Sequence, residues 1–190
     1  MTRQQVEELT LQHGSRQHAV QQIRAVKRSD QLERIETYVR ELRTLIRPQD
    51  ILTDIVVARF AEHTLPMAVQ EAVDVAREIL FDGQNTESTT SPELIERLGQ
   101  EGWLLPPQVE LLKYLVNFRN RKIVHPDKRA IPVDDQFRRE RIRDMVEGKC
   151  AAVEDLLTPG DSVERTCKDD TLDGLLRFCD SIRGRISGSS

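Results

Sequence analysis

The chain has 190 residues, 38% of them hydrophobic, 4% aromatic and 32% charged, a balance that suits helices with one apolar stripe and a solvated remainder. That length is enough for one domain with a real core and some terminal extension. A net charge of −4 and a pI near 5.7 exclude general electrostatic attraction to nucleic acid, so any such contact must come from a local basic patch.

Residues 1 to 28, rich in Gln, Arg and His, read as a weakly specified N-terminal helical arm interrupted at Gly14-Ser15. Ser29-Asp30 is the expected N-cap of a first firm helix, in which Leu32, Ile35, Val39, Leu42 and Ile46 recur at helical spacing until Pro48 stops it. Asp50 then caps a long second helix to Leu80, with Ile51, Ile55, Ala58, Ala61, Leu65, Val69, Val73 and Ala76 along one side and a kink expected at Pro66. Residues 82 to 92 have a loop's composition, and Ser91-Pro92-Glu93 begins a short helix through Leu98. Trp103-Leu104-Leu105 follows as an apolar plug, and Pro106-Pro107 open a fourth helix that Pro126 ends.

After an apolar loop from Ala130 to Val133, Asp134-Asp135 begins a fifth helix to about Leu157, and "DTLDGLLRFCDSIRGRI" predicts one more short helix before the flexible end "SGSS". The pattern predicts an all-α fold of four to five main helices with terminal helical extensions. The bundle is assigned to residues 29–158, the arm to 1–28, and the C-terminal helix with its tail to 159–190. Cys150, Cys167 and Cys179 are odd in number and lie far from any histidine, which fits neither a zinc site nor a disulfide framework. No apolar run approaches the roughly 18 residues of a membrane span, and the start lacks the core of a signal peptide. A soluble protein of the reducing cytoplasm, with no cofactor and no metal, is the expectation.

One position breaks the pattern. Steps of three and four along the fourth helix give Val109, Leu112, Val116, Arg119 and Ile123, with Leu111, Leu115 and Phe118 extending the apolar surface beside them. Arg119 therefore points toward the packed side. Burying an unpartnered guanidinium costs on the order of several kcal/mol, so the position requires a carboxylate, a cavity or an anionic ligand. Glu71 and Asp74 on the second helix are the structural candidates for an ion pair with Arg119 or Arg121. The alternative is a phosphate, which arginine grips well, with the nearby His125 moving a proton. Six residues at about 100° each put Arg119 and His125 on different faces of an ideal helix. Either the helix end unwinds before Pro126, or two copies compose the site across a dimer interface that also covers the stripe.

Other residues carry weaker signals. His63 lies four residues after Arg59, a pair able to touch a phosphate but ordinarily a solvated helix face. Lys128, Arg129, Arg138 and Arg139, followed by Arg141 and Arg143, form the one local basic patch in an acidic chain. They read either as a solvated face with helical ion pairs or as a track for an RNA backbone. Trp103 and Phe118 read as core.

The stretches "QDILTDIVVARFAEHTLPMAVQEAVDVAREIL" and "SPELIERLGQEGWLLPPQVELLKYLVNFRNRKIVHPD" resemble the HepT-like branch of the HEPN superfamily over roughly residues 29 to 157. The family's marker is an Arg, usually followed by a polar residue, then a His four to six positions on; Arg119, Asn120 and His125 match it. The resemblance implies an antiparallel up-and-down helical bundle and a metal-independent endoribonuclease toxin, a homodimer in which these residues of each copy face one another over an RNA substrate. It also implies a cognate minimal nucleotidyltransferase antitoxin, which in the family adenylylates a tyrosine two residues after the His. Here that position is Asp127, so this modification is excluded and inhibition by binding is left. Arg121, Lys128, Arg129, Arg138 and Arg139 are the expected substrate-binding residues. A non-catalytic HEPN module for dimerisation or docking is the competing expectation.

Overall fold

The fold is that of a computed structural model and is described for residues 3–81, 89–123, 135–148 and 171–188; side chains are described from residue 19 onward, except at 121–123, 135, 137, 138 and 188. In chain order the helices are α1 (Arg3–Leu45), α2 (Asp50–Thr53), α3 (Ile55–Phe81), α4 (Ser91–Gln100), α5 (Pro106–Ile123), α6 (Asp135–Val146) and α7 (Thr171–Gly188). No strand occurs among the described residues. The chain forms an all-α helical bundle, as the periodicity predicts.

The N-terminal elements differ from the sequence expectation. Neither Gly14-Ser15 nor Ser29-Asp30 interrupts α1, which runs unbroken for 43 residues. At about 1.5 Å per residue that is a rod of about 65 Å. Gly, Ser and Asp each cost a helix interior about 1 kcal/mol or less, and a helix already propagating absorbs such costs where no proline blocks it. Leu32, Ile35, Val39 and Leu42 are buried, whereas Val20, Ile23 and Val26 further up the same helix stay exposed.

The long second helix is also divided differently. Asp54 is extended (φ −110°, ψ 116°), and its Oδ1 accepts hydrogen bonds from the Val56 N–H at 2.7 Å and the Val57 N–H at 3.3 Å. It thus satisfies the first donors of α3 and separates that helix from α2. Ile55 falls just after this break and is 50% exposed, so it leaves the expected stripe, while Ile51, Ala58, Ala61, Leu65, Val69, Val73 and Ala76 are buried. Pro66 is buried inside α3.

α4 begins where expected, with the Thr90 N–H donating to Glu93 Oε2 at 2.8 Å; that bond holds the Glu93 carboxyl below its ordinary pKa. α4 then packs on α5, where a Cβ on Gly99 would come within 2.5 Å of Val109 Cγ2. The apolar surface of α5 is covered inside the chain: Val109, Leu111, Leu112, Leu115 and Val116 are all buried, in contact with α3, α4 and α7. The end of the stripe differs: Phe118 and Arg119 are half-buried, and the Ile123 side chain lies outside the described residues. α6 is shorter than expected, since Gly148 takes φ 83° just past Val146 and serves as a left-handed helix stop; the expected continuation to Leu157 falls in residues outside the described ones.

α7 closes the bundle. Leu172, Leu175, Phe178, Cys179 and Ile182 are fully buried, and Gly174 allows the close approach to α5, because a Cβ there would run into the Leu111 side chain. Arg183 donates to both carboxylate oxygens of Glu36, the Nη2–Oε2 bond measuring 3.0 Å, and Arg43 pairs with Asp173. Gln108 Nε2 donates to Ser181 Oγ at 3.0 Å. The C-terminal helix is therefore part of the core.

The Cys179 thiol is pushed up to about 12 from an ordinary value of 9.0, chiefly by burial and next by the Glu36 charge, with Arg183 opposing. An unfolded thiol releases its proton at lower pH than this one, so the thiol's contribution to stability is complete below about pH 9 and declines as pH rises toward 12. Cys179→Ala is expected to show a shallower fall of melting temperature between pH 8 and 11 than the native chain, and peptide mapping should find Cys179 unmodified by iodoacetamide until the protein is denatured.

Candidate functional site

Arg119 sits on the last turns of α5, half-buried, where its side chain meets the face of α3. That face is built from residues three and four apart, namely Arg59, Glu62, His63, Pro66, Met67 and Gln70, and with Arg119 it lines a cleft of about 510 Å³. Pro66 and Met67 add apolar side chains to the lining, and Arg59 and His63 are exposed. Pro66 has no N–H to donate to the carbonyl of Glu62 one turn earlier.

The expected ion pair of Glu71 or Asp74 with Arg119 does not form, and the Arg121 side chain lies outside the described residues. Glu71 is taken by Arg34, whose Nε and Nη2 donate to its two oxygens at 2.9 and 3.1 Å. Asp74 Oδ1 accepts from Arg77 Nη1 and from Gln70 Nε2, each at 2.8 Å. Both carboxylates face other partners, and the buried Nη1 of Arg119 is left with no hydrogen-bond acceptor. Burial pulls the Arg119 guanidinium below its ordinary pKa; the Asp74 charge raises it and Arg77 lowers it again. A buried donor without an acceptor costs about 1–3 kcal/mol, and an anion in the cleft that Arg119 lines would supply the opposite charge the guanidinium lacks.

The other sequence-selected residues separate into two groups. Asn120 is half-buried next to Arg119 on α5, and Arg139 is half-buried on α6, a helix that packs chiefly on α2 and to a lesser extent on α3 and α7. Among the described residues that line the cleft, none comes from α6. Arg121 and Arg138 lie on described helices, but their side chains are outside the described residues, as are His125, Lys128 and Arg129 altogether. Arg143 is committed locally, to Asp144 at 2.6 Å.

Arg59 and His63 are the residues the sequence undervalued. Their spacing marks a shared helix face, but only the packing of α3 beside α5 turns that face toward Arg119. Trp103 and Phe118 pack against the core, and the Trp103 ring also carries the Arg185 guanidinium at 5.3 Å from its centroid. Among the described residues no group of three or more His, Cys, Asp or Glu side chains could hold a metal ion, and no helix is long and apolar enough to cross a membrane. No family model matches the chain, and neither a curated protein nor a solved structure shows significant similarity to it.

Proposed function

We propose that the chain is a metal-independent endoribonuclease toxin of a HEPN and minimal-nucleotidyltransferase module, a type VII-like toxin–antitoxin pair. The observation that carries this reading is the buried Arg119 Nη1 left without an acceptor beside an open cleft, at the first position of the Arg-Asn-(four residues)-His motif. An unsatisfied cation at a cleft is the preorganised form of an anion site: part of its desolvation has already taken place before the ligand arrives. Arg119 grips the scissile phosphate and stabilises its developing charge, Asn120 positions it, and His125 moves a proton of the 2′-hydroxyl chemistry. Arg121, Lys128, Arg129, Arg138 and Arg139 hold the RNA backbone on either side.

The homodimer and the nucleotidyltransferase antitoxin belong to this proposal on the strength of the sequence resemblance. With Asp127 where the family has tyrosine, the antitoxin acts by binding and not by adenylylation at that position. The test is expression of the native chain, Arg119→Ala and His125→Ala in a bacterial host, with RNA integrity followed in the purified proteins under excess chelator. The native chain should arrest growth and cut RNA, and both folded variants should do neither; intact RNA with the native chain would overturn the proposal.

A further inference from the structure

We infer that Arg59 and His63 form the second half of a phosphodiester site whose first half is Arg119, His63 carrying one of the two protons that cleavage must move. This assignment rests on the ribonuclease function proposed above and extends it to residues outside the motif. The observation behind it is that α3 and α5 of one protomer bring two guanidiniums and one imidazole to the same cleft. Arg59 and His63 are one helical turn apart and share a face, and Gln70 lies further along it. The volume, about 510 Å³, falls within the range of roughly 300–1,000 Å³ typical of sites for small ligands and so accommodates a nucleotide unit.

Charge favours an anionic ligand. Among the described residues the charged groups that line the cleft with His63 are Arg59 and Glu62 from α3 and Arg119 from α5, and two guanidiniums beside the imidazole suit a phosphate group. The ribonuclease function proposed above makes that phosphate an internal RNA linkage.

The chemistry then needs two proton transfers. The 2′-oxygen attacks phosphorus, the phosphorus–O5′ bond breaks, the 2′-hydroxyl proton passes to a base and the O5′ takes a proton from an acid. The products are a 2′,3′-cyclic phosphate and a 5′-hydroxyl, with no water, metal or oxidant consumed. Guanidiniums stay protonated throughout and cannot serve as either group. An imidazole can serve as either near neutral pH. His63 is placed for one of these transfers while Arg59 and Arg119 hold the non-bridging oxygens.

Two assays on the purified full chain in chelator test this: cleavage of a labelled mixed-sequence RNA, and binding of the same sequence as a 2′-O-methyl oligonucleotide, which cannot be cut. Arg59→Ala should weaken oligonucleotide binding by about tenfold, the worth of one charge-assisted contact. His63→Gln should bind within about twofold of the native chain yet cleave at least about 100-fold more slowly, and one limb of the pH–rate profile should disappear. His63→Asn should behave the same way, which guards against a folding artefact at one substitution. A native chain that cleaves, with His63→Gln and His63→Asn matching its rate and pH profile, would overturn this inference and leave the ribonuclease function standing. A native chain that leaves RNA intact would overturn both.

Discussion

Arg119→Met is expected to lower RNA cleavage by about 10²–10³-fold, the usual loss when one preorganised donor to the transition-state charge is removed, and at the same time to raise the melting temperature. The two effects have one cause. Arg119 carries a buried Nη1 with no acceptor, its pKa is lowered chiefly by burial, and the nearby carboxylates of Glu71 and Asp74 are engaged by Arg34 and Arg77. Methionine keeps much of the length of the side chain but removes the unsatisfied donor. Since the residue is only half-buried, the gain is set at the low end of the penalty for such a donor, about 1 kcal/mol. For a chain of this size that is roughly 2–4 °C. Sites kept for function commonly carry such a stability cost. Calorimetry and a cleavage assay on the same preparation check both halves; a melting temperature that falls together with activity would mean that Arg119 is a structural ion-pair member after all.

The largest effect on stability is expected at α7. Phe178 is among the largest fully buried side chains, and Phe178→Ala should cost about 3–5 kcal/mol through lost transfer energy and the cavity left behind. The corresponding fall in melting temperature is about 6–20 °C. Ile23→Ala on α1 is the matched control: it removes a large apolar side chain that is 68% exposed and should change stability by no more than about 0.5 kcal/mol. Thermal melts of the two variants side by side decide whether α7 is part of the core or an appendage. Equal, small shifts would contradict the packing described above.

The contrast between these two helices shows what the sequence discloses and what it conceals. Where an apolar period is clean, as at Leu32, Ile35, Val39 and Leu42 or at Ala58, Ala61, Leu65 and Val69, the residues predicted to face inward are buried. Element boundaries were legible where a proline opened a helix, as at Pro106, and not where an aspartate decided. Asp54 ends one helix and caps the next through its side chain, whereas Asp30, equally suited to a cap, is simply carried along inside α1. The difference lies in tertiary packing, which no local window contains.

The candidate site was half legible for the same reason. An arginine interrupting an apolar row is visible in one dimension, because its anomaly is local. Which carboxylates would reach it is not visible: Glu71 and Asp74 are on the right helix but point to Arg34 and Arg77. Arg59 and His63 could be seen to share a face, but whether that face meets solvent or Arg119 depends on how α3 and α5 pack. Most of the apolar stripe of α5, from Val109 to Val116, is covered by α3, α4 and α7 of the same chain, which a one-dimensional period does not disclose.

The most direct test of the central claim is the chemistry of the cut ends. Purified native chain incubated with RNA in excess chelator should leave 2′,3′-cyclic phosphates and 5′-hydroxyls, the products of attack by the RNA's own 2′-oxygen at a site that holds the phosphate with Arg119. RNA left intact, or fragments ending in 3′-hydroxyls and 5′-phosphates, would contradict it.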